Sequence, residues 1–322
     1  MRIMATFLLA AWVPGLAAPA VAAEPAYPTK PIRIIVGFPP AGAADIFARL
    51  VAQKLSDSWG QPVVVDNRPG AGSTIGSEIT ANASPDGHTW MVVSASYATS
   101  AGLYKNLKFD PVKSFAPIIM IASNPNVLLT HPSVRSKTVK ELIAFAKSNP
   151  GKLTMGSAGT GSITHLAGEL FTSMAGIEVT HVPYKGGGPN MTALVGGEIQ
   201  LTVASVPASL GHIRAGRARG LGVTSLKRSS VLPEVPTIAE AGVPGYEAKN
   251  WYAALAPAAV PKAIVASLNR QINEVLRMPD LAAAVTKQGA DVEGGTAEAF
   301  GQYLVSEIAK WSKVIRSAGV QL

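Results

Sequence analysis

Short apolar runs alternate with amphipathic stretches along most of the chain, and this alternation constrains the fold more than any other feature of the sequence. The run 32–38 is rich in β-branched residues and predicts a buried strand, and the stretch 44–58 has apolar residues at helical spacing. Further strands are predicted at 62–65 and 88–93, with a helix at 73–82 between them. This order predicts an α/β fold with a mostly parallel sheet flanked by helices.

The alternation stops after Asp110 and then begins again, which predicts a second α/β lobe. Two extended segments, 116–121 and 127–130, come first. The predicted helices that follow are 138–147, 163–174, 190–195 and 208–215, and the predicted strands are 153–157, 178–182, 199–205 and 218–224. If the extended run 251–256 returns to the first lobe, the helical tail 261–317 covers that lobe and two crossover strands form a hinge.

A chain of 322 residues is long enough for two lobes. We place lobe 1 at 24–122 and 253–322. Lobe 2 is placed at 123–252, with a crossover at each of its ends.

The first 23 residues have the features of a secretory signal peptide. Arg2 supplies positive charge, 7–13 is a short apolar stretch, and 21–23 is a small-residue cleavage site, so the mature chain is predicted to begin near Glu24, after Ala23, in the periplasm. An uncleaved anchor is the alternative, but the apolar stretch is shorter than the about 20 residues that span a bilayer. The chain has no cysteine, which excludes disulfides, thiol catalysis and thiolate metal sites.

The formal net charge is +8, and the densest basic run lies between His212 and Arg228. This run has no interleaved aromatic residues on which bases could stack. We therefore interpret it as a solvated surface and expect no nucleic-acid partner.

Catalytic and metal-binding patterns are absent from the sequence. There is no Gly-x-Ser-x-Gly, no His-Glu-x-x-His and no phosphate loop, and the five histidines do not have metal-ligand spacing. We therefore predict no catalytic residue, no metal and no cofactor. A hydrolase remains an alternative, and it would need Ser157 or Ser162 beside a histidine such as His165.

One small-residue loop lies between the first predicted strand and its helix, which is where ligands bind in open α/β sheets. It begins at Phe38 and contains Ala41, Gly42 and Ala43. These small residues leave backbone N–H groups uncovered, and the helix dipole favours an anion there. Asp45, at the helix start, is predicted to be a cap that supports the loop rather than a ligand contact.

The glycine-rich loop 156–162 repeats this arrangement in the second lobe, and 94–96 follows the third strand in the same way. The residues of these two loops whose hydroxyls can donate to carboxylate oxygens are Ser94, Ser96, Ser157, Thr160 and Ser162. One such loop is an ordinary connection. Two of them in two lobes predict opposed anion-binding loops.

Five separated blocks resemble the Bug-type receptors of tripartite tricarboxylate transporters. They are 33–45 with Ala48-Arg49, 63–72, 85–87, 181–186 and 232–242. The resemblance covers the mature chain and implies a two-lobed periplasmic binding protein fold, type II-like, that closes on a small mono- or dicarboxylate without catalysis. It also implies a grip on one carboxylate around Ala41 to Ala43, polar contacts from the loops 94–96 and 157–162, and delivery to membrane transporter subunits. We expect a monomer that is not embedded in the membrane. A sensor that presents the ligand to a signalling partner stays open.

The chain departs from the family pattern at two positions. The family usually has Gly-Gly where Ala41-Gly42 stands, and an aspartate where this chain has Ala204 after the strand 199–203. An acidic residue there would suit an amino group on the ligand. We therefore hypothesise that Ala204 belongs to a site for a less polar acid, aromatic acids included, and not for an amino acid.

Overall fold

A computed structural model of the protein describes residues 27–40 and 42–321, so the predicted signal peptide, its cleavage near Ala23 and the loop residue Ala41 lie outside the described residues. The strands are β1 (Ile32–Val36), β2 (Val63–Asn67), β3 (Thr89–Ser94), β4 (Phe115–Asn124), β5 (Asn126–Thr130), β6 (Thr154–Ser157), β7 (Thr180–Pro183), β8 (Leu201–Ser205), β9 (Arg219–Val223), β10 (Asn250–Pro257) and β11 (Asp291–Gly294). The α-helices are α1 (Ala43–Trp59), α2 (Thr74–Ala81), α3 (Ser96–Leu103), α4 (Val139–Ser148), α5 (Ile163–Ala175), α6 (Gly187–Val195), α7 (Val206–Arg214), α8 (Lys262–Leu276), α9 (Pro279–Lys287) and α10 (Ala297–Ser317). A short 3-10 helix, Ala71–Ser73, precedes α2.

The strands form two sheets. The first has six strands in the order β11-β4-β10-β3-β1-β2, and the second has five in the order β7-β6-β8-β5-β9. In the first sheet β1 to β4 run in one direction, while β10 and β11 oppose them. In the second sheet only β5 opposes the other strands. The predicted α/β class and the two sheets flanked by helices are confirmed, and both sheets are mixed, because β10, β11 and β5 pair antiparallel with their neighbours.

Both faces of the first sheet are buried at the apolar run 34–36 of β1, whereas Arg33, earlier in the strand, is partly exposed and forms an ion pair with Asp66. Ile34 packs in a cluster with α1, α8 and α9, whereas Ile35, on the opposite face, packs in a cluster with α3 and α10. Where both faces of a strand are covered, consecutive residues are apolar, as they are at 34–36. The cluster around Ile35 continues through Leu128 and Met155 into the second sheet, so the two lobes share a core on this side.

The chain passes between the sheets along two neighbouring segments. Only Pro125 separates β4 of the first sheet from β5 of the second, and the chain returns between β9 and β10. Asn126 and Thr224 hold the two crossings together: the Asn126 N–H donates to Thr224 Oγ1 at 2.9 Å, and the Thr224 N–H donates to the Asn126 carbonyl at 2.9 Å. The lobe boundaries at 122/123 and 252/253 stay a prediction.

Two elements have no counterpart in the sequence-based prediction. Helix α3 is short, and several residues that it buries, such as Thr99 and Ser100, are polar, so it lacks an apolar period. Strand β11 is an edge strand of four residues with the sequence Asp-Val-Glu-Gly, whose composition does not favour strands. Across the part of the chain that the structure covers, we find no helix with the length and apolar character needed to traverse a bilayer.

Candidate functional site

A cavity of about 390 Å³ lies where β1 and β3 end and where α1 and α3 begin. The residues that line it are Phe38, Pro39, Pro40, Gly42, Ala43, Ala44, Ser94, Ser96, Asn250 and Tyr252. It therefore brings together Phe38, Gly42, Ala43, Ser94 and Ser96 of the predicted site. None of the described residues that line it carries a charge.

The amino end of α1 faces this cavity. Gly42 is the N-cap residue and has an extended backbone, with φ −73° and ψ 159°. Its carbonyl oxygen accepts from the Ile46 N–H at 2.9 Å, which begins the helix. The first N–H groups of a helix have no acceptor within that helix and carry partial positive charge, so this end of the cavity suits an anion.

Asp45 lies at the third residue of α1 and not at the N-cap position, which Gly42 occupies. Its carboxylate is buried, at 2% residue exposure, and accepts from Asn67 Nδ2 at 2.9 Å. The same nitrogen donates to the Phe38 carbonyl oxygen at 3.0 Å, and Arg49 forms an ion pair with Asp45 at 2.9 Å. Asp45 thus contacts the loop through Asn67, and a role in support of the ligand site stays a prediction.

Strand β10 contributes two residues that the sequence pattern does not single out. Tyr252 pairs with Ser94 in the sheet, and Asn250 donates from Nδ2 to Asn126 Oδ1 at 3.2 Å in the first crossing. Burial raises the pKa of Tyr252 to about 12, so its phenol remains protonated at neutral pH. Only the return of β10 between β3 and β4 places these residues at the cavity, and a single sequence carries no signal of that pairing.

The predicted site residues of the second lobe do not line this cavity. Ser157 is 1% exposed, accepts from the Gly159 N–H at 3.1 Å and lies 2.7 Å from His181 Nε2. Ser162 is the N-cap of α5 and accepts from the His165 N–H at 3.2 Å. Both hydroxyls hold their own loop in place. Thr160 is exposed.

Ala204 is 5% exposed and lies on β8 opposite Val127. Its methyl group belongs to an apolar cluster that includes Val127 and Val206, and it lines neither the 390 Å³ cavity nor the pocket beside His181. Its proposed part in ligand selection stays a hypothesis.

Two α/β lobes joined by adjacent crossings, with small-residue loops at the carboxyl ends of parallel strands, define a two-lobed solute-binding protein. The model of the tripartite tricarboxylate transporter family receptor matches residues 47–320, and the chain belongs to this family. Protein BugT of Bordetella pertussis is 39% identical over 310 residues, which is 96% of this chain and 94% of the relative.

Two solved structures are similar over nearly their whole length. R. palustris Rpa4515 with adipate is 38% identical, has a TM-score of 0.76, and the alignment covers 92% of this chain and 99% of that one. MatC from Rhodopseudomonas palustris with bound malate is 29% identical, has a TM-score of 0.73, and the coverage is 90% and 100%. Both of those relatives therefore hold a small carboxylate.

Proposed function

We propose that this protein is a periplasmic receptor that binds a small carboxylate between its two lobes and delivers it to a tripartite tricarboxylate transporter without chemical change. The observation that carries the proposal is the uncharged cavity at which α1 and α3 both begin. Two helix amino ends supply partial positive charge to an anion without a cationic side chain. Family membership supports the role in transport.

In the proposed complex the first lobe holds one carboxylate through backbone N–H groups of the loop 38–44 and through the hydroxyls of Ser94 and Ser96. Asn250 adds an amide from the crossing strand. Rotation about the crossings brings the loop 158–162 of the second lobe onto the ligand. A ligand that contacts both lobes binds the closed state more tightly and shifts the equilibrium towards it.

The lining also supports a preference for less polar acids. Phe38, Pro39 and Tyr252 offer apolar surface, and none of the described lining side chains is acidic and able to accept from an amino group. With Ala204 in place of the family's aspartate, we propose an aliphatic or aromatic carboxylate as the ligand. Calorimetry decides this point: tight binding of aspartate or glutamate together with no binding of simple carboxylic acids would contradict it.

A thermal-shift screen over mono-, di- and aromatic carboxylates tests the receptor proposal itself. At a concentration of about a hundred times its Kd, a ligand that binds only the folded protein raises the free energy of unfolding by about 2.7 kcal/mol. The Tm rises accordingly. Ser96→Ala should reduce the rise for the best ligand, whereas Ser148→Ala, at an exposed serine on α4, should not. No shift with any carboxylate contradicts the proposal.

The Ser157–His181 contact at 2.7 Å is the feature that would suit a hydrolase. Ser157 is closed to solvent, and its oxygen already accepts from the Gly159 N–H. We therefore expect quantitative recovery of unchanged ligand after incubation. A pull-down from membranes with the ligand-loaded protein separates transport from sensing. Recovery of transporter subunits and of no signalling protein would support transport.

A further inference from the structure

Two histidines of the second lobe lie face to face beside the loop that the proposed function places on the ligand. The rings of His165 and His181 stack with centroids 3.7 Å apart and 22° between their planes. His165 is on the first turn of α5 and is 5% exposed, and His181 is on β7. Each ring contacts the segment 157–161 through a different nitrogen.

The hydrogen bond to His165 fixes which nitrogen of that ring lacks a proton. The Gly161 N–H donates to His165 Nδ1 at 3.1 Å. A backbone nitrogen can only donate, so Nδ1 must be an unprotonated acceptor. The proton of the neutral ring is then on Nε2, which lies 3.4 Å from Glu169 Oε1.

A similar argument applies to His181. Ser157 Oγ accepts from the Gly159 N–H. Among the described contacts of Ser157, the acceptor for its hydroxyl hydrogen is His181 Nε2, which lies 2.7 Å from Oγ. On this assignment of the hydroxyl hydrogen, Ser157 donates to an unprotonated Nε2. The two rings thus hold the loop at Ser157 and at Gly161, through acceptor nitrogens in both cases.

We propose that His165 and His181 are positioning residues of the ligand site, whose unprotonated ring nitrogens fix the loop 158–162 in the conformation that meets the carboxylate. The proposal rests on the proposed function, because it takes this loop to be the second-lobe contact. The held conformation leaves Thr160 exposed on the outside of the loop, while the Ser157 hydroxyl stays within it. Loss of an acceptor releases one end of the loop.

The surroundings of His181 favour its neutral ring. The residues of the small pocket around it are Met155, Gly156, Ser157, Thr164, Glu169, Thr172 and Val179. Glu169 is the charged group among them, and no other titratable side chain of this set faces the rings. Burial and the neighbouring His165 lower the pKa of His181 to about 4, while Glu169 acts in the opposite direction. The low pKa of His181 keeps its Nε2 unprotonated across the neutral range, so this contact with Ser157 is kept there.

A metal site is the other arrangement that two histidines and a glutamate could serve. A metal requires lone pairs that converge on one point, whereas these rings are stacked and their acceptor nitrogens point to Gly161 and Ser157. No group of three or more potential ligands with suitable geometry occurs within the described residues.

The test compares substitutions that keep the acceptor with substitutions that remove it. His165→Asn places an amide oxygen near the position of Nδ1, and His181→Gln places one near that of Nε2. Both should bind adipate at pH 7 within about threefold of the wild type, whereas His165→Leu and His181→Leu should bind at least about tenfold more weakly, the loss that one released hydrogen bond produces. His131→Leu, at a histidine of the second lobe outside the pair, should bind as the wild type does.

The pH profile gives a second readout that a purely structural role would not change. Relative to the His165→Asn/His181→Gln double variant, the wild type should lose about half of its adipate affinity at pH 4, since a ring with a pKa near 4 is then half protonated. Protonation of adipate affects both proteins equally, so their ratio isolates the histidines. A constant ratio from pH 7 to pH 4 overturns the proposal.

Nuclear magnetic resonance of the ligand-free protein separates this inference from the receptor proposal. The Nδ1 of His165 should show the chemical shift of an unprotonated nitrogen at pH 7, because it accepts from the Gly161 N–H. In His165→Leu this amide should exchange with solvent at least about tenfold faster, while core amides such as that of Leu128 remain protected. A protonated Nδ1, or a Gly161 amide whose exchange rate is unchanged by His165→Leu, overturns the inference even if adipate binds. If adipate fails to bind and these signals behave as expected, the loop is held but the receptor proposal is wrong for this ligand.

Discussion

Asn67 donates from one nitrogen both to the buried carboxylate of Asp45, at 2.9 Å, and to the carbonyl oxygen of Phe38, at 3.0 Å. This side chain at the end of β2 therefore joins the first turn of α1 to the loop that precedes it. Phe38 lines the cavity and Asp45 directly follows the lining residue Ala44, so the position of the loop depends on a residue that does not line the cavity itself.

We predict that Asn67→Ala destabilises the protein and weakens ligand binding. Both hydrogen bonds are part-buried and Asp45 keeps Arg49 as a donor, so each lost bond should cost about 0.5 to 1.5 kcal/mol. Urea unfolding measures the first effect, and titration with the best carboxylate of the screen measures the second.

Asn149→Ala is the matched control for this substitution. Asn149 follows α4 and does not line the cavity, and its Nδ2 donates to the Phe145 carbonyl oxygen at 3.0 Å in an exposed contact. Its loss should change neither stability nor binding appreciably, because water replaces the donor at an exposed carbonyl. An Asn67→Ala protein that matches this control in both measurements would contradict the role assigned to Asn67.

The residues at the ends of the strands were partly predictable from the sequence. The apolar run of β1 and the small residues after it mark a strand followed by a helix, and the structure brings Phe38, Gly42, Ala43, Ser94 and Ser96 to one cavity as that pattern indicates. Asn250 and Tyr252 could not be placed in this way. Their position depends on the pairing of β10 with β3, two strands that are far apart along the chain.

The second-lobe loop shows a different limit. The sequence suggests His165 as the neighbour of Ser157 or Ser162, because it follows them closely. In the structure, Ser157 contacts His181, because β6 and β7 pair in parallel with Met155 opposite His181, and Met155 and Ser157 lie on the same face of β6. Strand register is set by packing of both sheet faces, and the local pattern of a single sequence does not contain it.

Gly37 is a position where a methyl group has no room. A Cβ built there lies 2.0 Å from Ser73 Oγ and 2.8 Å from the Ser73 Cα, so the backbone around Ser73 would have to move. We predict that Gly37→Ala lowers the free energy of unfolding by about 1 to 3 kcal/mol, the usual cost of overpacking. Gly211→Ala is the matched control.

Gly211 lies inside α7, and a Cβ there meets nothing within 4 Å. Alanine is the better helix former, so this second substitution should raise stability by about 0.5 to 1 kcal/mol. Chemical denaturation of both variants under one condition gives the comparison. Equal effects of the two substitutions would contradict the steric explanation for Gly37.

Glu307 is a buried carboxylate on α10 that accepts from two indole nitrogens. Trp251 Nε1 and Trp311 Nε1 each donate to Glu307 Oε2 at 3.0 Å, and Lys310 forms an ion pair with the other oxygen. We predict that Glu307→Leu costs about 3 to 5 kcal/mol, because it leaves two buried donors and a lysine without their acceptor. Glu307→Gln keeps an acceptor and should cost less.

Tryptophan fluorescence checks the local cause of this loss, because Trp251 and Trp311 are both fully buried. The emission should change more in the leucine variant than in the glutamine variant, in the same order as the stabilities from urea unfolding. Glu298→Gln, at an exposed glutamate on the first turn of α10, serves as the control and should leave the emission unchanged.

His181 should make the stability of the fold depend on pH in a defined window. Its pKa is about 4 in the folded protein and 6.5 for an unperturbed histidine, because burial and His165 disfavour the charged ring. Above pH 6.5 the ring is neutral in both the folded and the unfolded chain. Between pH 6.5 and about 4 the unfolded chain binds a proton that the folded protein does not, so stability falls as the pH falls.

The size of this effect is bounded by the linkage relation. A full proton corresponds to about 1.4 kcal/mol per pH unit, and a half-buried ring is partly screened by solvent, so we expect a smaller slope. Urea unfolding of the wild type and of His181→Gln between about pH 7 and about pH 4.5 should show that the wild type loses stability more steeply. His131→Gln should lose stability with falling pH as the wild type does. If the stability of His181→Gln falls as steeply as that of the wild type, the low pKa assigned to His181 is wrong.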